Sequence, residues 1–151
     1  MGPAVILLQE THSNISCIHN WKQQRGGEIF FSHGTSSQAG VCILFPNNAT
    51  IDLKPEIIFS DPYGRILLIS INISGKLFYL CNVYAPTQQK QANQLSFIQD
   101  LANLLIEYEN KNICIGGDWN AVLNIKLDKK VELQQPRFLI MSTKLKYYKK
   151  I

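Results

Sequence analysis

The segment Asn112-Ile113-Cys114-Ile115-Gly116-Gly117-Asp118-Trp119-Asn120 constrains the fold of this chain more than any other. Ile113, Cys114 and Ile115 make an apolar run suited to a strand buried on both faces, and the glycine pair lets the backbone turn sharply or approach a ligand closely. Asp118 and Asn120 then emerge at the carboxyl end of that strand, the edge at which open α/β sheets bind ligands. Asp and Asn beside glycines also build turns and helix N-caps, so the segment alone is compatible with a working site and with a plain turn.

A second segment repeats the arrangement. In Val5-Ile6-Leu7-Leu8-Gln9-Glu10-Thr11-His12 an apolar strand again ends in a carboxylate, Glu10, and Thr11, Ser13 or Asn14 can cap a helix that follows. Two acids that close buried strands far apart in sequence can share a hard divalent cation, because Mg²⁺ takes few carboxylates together with water and phosphate oxygens. A third strand, Leu77 to Val83, is rich in aromatic and β-branched residues and is stopped by Pro86, which puts Tyr84 at its end. By itself Tyr84 reads more readily as a half-buried strand tyrosine whose hydroxyl has found a partner.

Taken in order, Leu8-Gln9-Glu10-Thr11-His12, Asn82-Val83-Tyr84-Ala85-Pro86 and Gly117-Asp118-Trp119-Asn120 resemble the endonuclease/exonuclease/phosphatase superfamily. More narrowly, they resemble the endonuclease domain of non-LTR retrotransposon proteins, a relative of exonuclease III and abasic-site endonucleases. Gln38-Ala39-Gly40-Val41-Cys42-Ile43-Leu44-Phe45, Asp61-Pro62-Tyr63-Gly64-Arg65 and Leu127-Asp128-Lys129 are similar to further segments of that family. The resemblance implies that Glu10 is a ligand for Mg²⁺ (or Mn²⁺), that Tyr84 hydrogen-bonds near the scissile phosphate, and that Asp118 aligns or deprotonates the attacking water. It implies that Asn120 donates to the phosphate, and that DNA is the partner. The physical logic agrees, since attack on a phosphodiester needs an activated water, a cation against growing oxygen charge and fixed donors around it. Arg65 is a candidate phosphate contact, as are Lys54 and Lys76, although each also suits a solvent-facing position.

The resemblance covers residues 4 to about 130, leaving 131–151 as a basic tail that does not match the family. Missing from the pattern are a preceding strand ending in asparagine, a later acidic residue, and a Ser-Asp-His; the histidines here are His12, His19 and His33. A complete domain of this type needs roughly 220 to 250 residues. The expectation is therefore an α/β fold, about the N-terminal half of a four-layer α/β sandwich, truncated at both ends. Its second sheet should be largely missing, with an exposed apolar face that invites self-association and with little or no turnover.

Periodicity predicts strands at about 4–9, 28–32, 39–45, 50–59, 65–73 and 77–83, with a short helix or loop at about 13–22. It predicts a helix over 90–108 whose core stripe is Leu95, Ile98, Leu101, Leu104, Leu105 and Tyr108. Charge does not mark a basic platform: from Lys126 onward eight Lys or Arg face two acids, a net of +6, which leaves −2 for residues 1–125. Four cysteines without CxxC spacing read as buried, reduced thiols in a reducing compartment. With no signal peptide and no apolar run of membrane-spanning length, the expected setting is intracellular, nuclear or cytoplasmic, without membrane and not secreted.

Three functions are consistent with these features. The first is a metal-dependent DNA endonuclease, the second a noncatalytic remnant of one. The third is a superfamily relative acting on phosphoinositide, sphingomyelin or nucleotide substrates, which the details around Glu10 and Gly40 disfavour.

Overall fold

The computed structural model describes residues 5–25, 27–35, 37–46, 53–87, 91–120 and 139–141. Strands β1 (Ile6–Gln9), β2 (Glu28–Ser32) and β3 (Val41–Phe45) form an antiparallel sheet in the order β1-β3-β2, with a 3₁₀ turn and helix α1 (Ile18–Arg25) between β1 and β2. A second sheet runs β4 (Glu56–Ser60), β5 (Ile66–Ile73), β6 (Lys76–Tyr84), β7 (Asn112–Asp118) and β8 (Leu139–Met141). Its first three strands are antiparallel, and β7 joins β6 in parallel. A parallel pair cannot be closed by a tight turn, and helix α2 (Gln91–Leu105) lies within that crossover. The β5–β6 hairpin does close tightly, through Ser74 and Gly75 with φ of 51° and 79°, the pair of left-handed residues that matches strand twist.

Strand alternation sorts the apolar residues into three cores and the molecule into four layers. Between the sheets, Val41, Ile43 and Phe45 meet Leu67, Ile69 and Ile71. On the outer face of the larger sheet, Leu68, Cys81, Val83, Ile113 and Ile115 pack against Phe97 and Leu101 of α2. On the outer face of the smaller sheet, Ile29, Phe31 and Leu44 receive Ile18 and Trp21 of α1. The order helix, sheet, sheet, helix is the four-layer sandwich that was expected.

Three expectations need correction. The opposing sheet is not largely missing, because β1, β2 and β3 cover β4 to β7 and leave Val41, Ile43, Phe45, Leu67 and Ile69 at 0% exposure. The strand expected over 50–59 is described only from Glu56, since Leu53 lies in a turn, Lys54 has a φ of 42°, and residues 47–52 lie outside the described residues. The stripe is Phe97, Leu101, Leu104 and Leu105 of α2, continued by Tyr108 of the 3₁₀ turn Ile106–Tyr108, whereas Leu95 and Ile98 are 67% and 55% exposed. The helix lies on one sheet face and can bury only one arc; Leu95 sits about 140° around the axis from its centre. Ile57, Ile58 and Phe59 of β4 are likewise exposed. Leu127-Asp128-Lys129 and the tail, apart from β8, fall outside the described residues.

Candidate active site

Three strand ends meet at one end of the sandwich. Because β6 and β7 are parallel with Tyr84 opposite Asp118, both finish together, and Ala85 N donates to Asp118 O at 2.8 Å. Close approach of these strands requires Gly117: its φ is 141°, and a Cβ there would lie 1.9 Å from Val83 O. Strand β1 ends opposite them on the other sheet. The Tyr84 hydroxyl donates to the Glu10 carboxylate across the gap between sheets.

A buried amide holds that juxtaposition. Asn82, at 0% exposure in the middle of an apolar strand, donates to Leu8 O at 2.9 Å and to Cys42 O at 2.8 Å and accepts from Gln9 Nε2 at 2.7 Å. The bonds tie β6 to both β1 and β3, one residue from Glu10 and two from Tyr84. Beyond β1 the chain enters the left-handed region at Glu10 (φ 53°) and His12 (φ 47°), a strained path for side chains of this kind. It is pinned there by Thr11 N donating to Gly40 O and His12 N to Ala39 O, both at 3.0 Å. Buried Ser13 bonds Thr11 Oγ1 at 2.9 Å and His33 Nδ1 at 3.1 Å. Burial lowers the His33 pKa, which keeps the ring neutral beside that hydroxyl.

Asp118 is exposed and Asn120 half-buried. Asp118 Oδ1 accepts from Asn120 N at 2.9 Å, so the turn reading of this segment is realised. Asn120, with φ 45°, donates from Nδ2 to Ala85 O at 2.7 Å, which holds its side chain against the end of β6. Tyr84 is 8% exposed, and its pKa is pushed up to about 12 by burial first and then by the Glu10 carboxylate. The phenol is therefore a neutral donor. Arg65, at the start of β5, donates to Tyr84 O at 3.2 Å and lies over the Tyr84 ring at 5.3 Å.

All five sequence-predicted residues, Glu10, Arg65, Tyr84, Asp118 and Asn120, thus lie at this end, and Glu10, Arg65 and Tyr84 line a cleft of about 340 Å³. Lys76 does not join them: it begins the nine-residue strand that Tyr84 ends, about 26 Å away. Lys54 is also at the far end, next to Leu53, whose carbonyl accepts from Asn72 N. Sequence reasoning missed Asn82, Gln94 and the cleft residues His12 and Asn93. Gln94 donates to Pro86 O at 2.8 Å and Asn120 O at 3.4 Å. For Asn82 a signal existed, an amide at an inward position two residues before Tyr84; for Gln94 there was none.

Among the described residues no three His, Cys, Asp or Glu side chains gather into a protein-enclosed metal centre. An exposed single carboxylate such as Glu10 suits a hard cation that completes its shell with water and phosphate oxygens.

No protein-family model matches the sequence. The chain is 30% identical over 128 residues to the transposon TX1 uncharacterized 149 kDa protein of Xenopus laevis, covering 83% of this chain and 9% of that protein. Among solved structures, the AP endonuclease LMAP from Leishmania major superposes with a TM-score of 0.64 at 16% identity, over 77% of this chain and 45% of that one. A humanized TDP2 of D. rerio gives 0.58 at 18% identity, over 85% and 53%. The D. rerio TDP2 complexed with a single-strand DNA product gives 0.53 at 21%, over 80% and 49%. The chain therefore spans about half the length of these structures and about a tenth of the transposon protein. The chain thus shares its fold, a four-layer sandwich of partial length, with these structures.

Proposed function

We propose that the meeting point of β1, β6 and β7 is a site for metal-dependent hydrolysis of phosphodiester bonds in DNA, of the retrotransposon-endonuclease type. One observation carries this reading: the Tyr84 hydroxyl joins the Glu10 carboxylate across two sheets, beside the parallel strand end that presents Asp118. The likeness to an AP endonuclease, to a DNA-bound TDP2 and to a transposon protein supports it.

In this reading Glu10 would hold Mg²⁺ or Mn²⁺, which supplies positive charge against a non-bridging phosphate oxygen. Tyr84, neutral and fixed, orients the Glu10 carboxylate by donating to it. Asp118 has one oxygen engaged by Asn120 N and a second that can align a water and take its proton. Asn120 has a second amide hydrogen for a phosphate oxygen, while the first stays on Ala85 O. An intracellular, nuclear or cytoplasmic setting is the expectation, in keeping with the thiols of Cys17, Cys81 and Cys114.

The test is nicking of supercoiled plasmid with Mg²⁺, comparing wild type with Glu10→Ala and Asp118→Ala. Metal-dependent nicking lost in both variants is the expected result, even at a slow rate. Absence of nicking in the wild type at any Mg²⁺ or Mn²⁺ concentration overturns hydrolysis and leaves the noncatalytic remnant.

A further inference from the structure

The cleft at the strand ends continues past Arg65 into a larger one of about 720 Å³, within the roughly 300–1,000 Å³ of clefts that take small ligands. Gln38, Ala39, Arg65, Pro86 and Asn93 belong to the walls of both, so Arg65 stands at their junction.

Charge and ring placement limit what the larger cleft can take. Among the described residues that line it Arg65 is the one cation, and the walls also carry Asp61 and Asp100. A phosphate is attracted by the Arg65 guanidinium and repelled by the two carboxylates, which confines it to the Arg65 side chain. The cleft also offers aromatic surface: Tyr63 is 74% exposed and Phe59 36%, and both line it.

Tyr63 is presented by a rigid turn. Asp61 accepts from Tyr63 N at 3.2 Å, from Arg65 N at 2.6 Å, from Ile66 N at 2.7 Å and from the Ser32 hydroxyl at 2.9 Å. One carboxylate thus fixes Tyr63 and Arg65 together, and Arg65 is tied in turn to Tyr84 of the candidate active site. A flat ring and a guanidinium two residues apart on one fixed turn suit a single nucleotide, with its base stacked on the phenol and its phosphate on the guanidinium. The base must be unpaired or displaced, because within a duplex its faces are covered by neighbours.

We propose that this cleft is a nucleotide subsite, in which Tyr63 stacks the unpaired base next to the phosphate held at the active site and Arg65 contacts the intervening phosphate. The position relative to a scissile phosphate rests on the phosphodiesterase reading above.

The test is fluorescence anisotropy of the full chain with a short fluorescein-labelled oligothymidylate in EDTA, against an abasic oligonucleotide of equal length and charge. Tyr63→Ala is expected to weaken binding of the base-bearing strand about five- to a hundredfold and to leave the abasic strand unchanged. Tyr63→Phe should bind like wild type. Arg65→Ala should weaken both strands and reduce the slope of log affinity against log salt by about 0.7, one phosphate's worth for a single strand. The subsite is overturned if Tyr63→Ala binds the base-bearing strand as wild type does, if it weakens both strands equally, or if wild type binds neither. Because the titration needs no metal and leaves Glu10 and Asp118 intact, it separates from the nicking assay. Absent nicking with Tyr63-dependent affinity removes hydrolysis and keeps the subsite; nicking with Tyr63-independent affinity does the reverse.

Discussion

Tyr84 shows how one side chain serves both the core and the site. Its ring packs in the core between the sheets while its hydroxyl reaches Glu10, so the same burial that stabilises the sandwich keeps the phenol protonated. The sequence placed Tyr84 at a strand end through Pro86, but the partner of its hydroxyl lies 74 residues away and no local pattern reports it. Burial raises the Tyr84 pKa from 10.0 to about 12, with the Glu10 hydrogen bond and charge adding to it. Between those values the unfolded chain releases a proton that the folded chain keeps, so stability falls as pH rises. The Cys81 thiol, raised by burial from 9.0 to about 12, makes the fall begin earlier. Tyr84→Phe should therefore flatten the decline between 10.0 and about 12 and leave the part that starts near 9.0. Urea midpoints measured across that range check this, and identical slopes in the two proteins would show that Tyr84 titrates as it does in the unfolded chain.

At the level of elements, what was legible followed from periodicity and what was not followed from docking. The strand ending in Gly116-Gly117-Asp118 was readable because an apolar run and two glycines are local facts. The α2 stripe was only half readable: six apolar residues share helical spacings, but the face that meets the sheet is chosen by Phe97 and Leu101 fitting over Leu68, Val83 and Ile115. Nothing in the helix alone ranks that face above the one carrying Leu95 and Ile98. Gly117 gives the sharper prediction. Adding a methyl at Gly117 would place it against the Val83 backbone, with nothing flexible to yield, whereas at Gly75 a Cβ meets nothing within 4 Å although φ is 79°. Gly75→Ala should cost about 1 kcal/mol, the strain of the left-handed backbone alone. Gly117→Ala should exceed about 3 kcal/mol, because β7 must move away from β6 and carry Asp118 with it. Denaturant titration of both variants measures the difference, and equal costs would mean that the β6–β7 contact is not tight.

Across the whole molecule the site is divided. Glu10 belongs to the three-stranded sheet, whereas Tyr84 and Asp118 belong to the five-stranded one, so its geometry exists only while the two sheets are packed. The sequence made each sheet's strands recognisable but did not reveal the packing. The evidence for it is spread over alternate residues of five strands and one inward amide, Asn82, whose partners Gln9, Leu8 and Cys42 sit on the other sheet. If that shared core and the Asn82 bonds govern, the layers should unfold as one cooperative unit. Two tryptophans report on opposite layers: Trp21 packs on the outer face of the smaller sheet against Phe31, and Trp119 packs on the α2 side of the larger one. In Trp21→Phe the remaining fluorescence follows the larger sheet, and in Trp119→Phe it follows the smaller. Each fluorescence midpoint in urea is expected to coincide with the far-UV circular dichroism midpoint of the same variant. If the Trp21 signal is lost at lower urea than the helix and sheet signal, the smaller sheet detaches first. Glu10 would then leave Tyr84 before the protein unfolds, and the candidate site would come apart while most of the secondary structure survives.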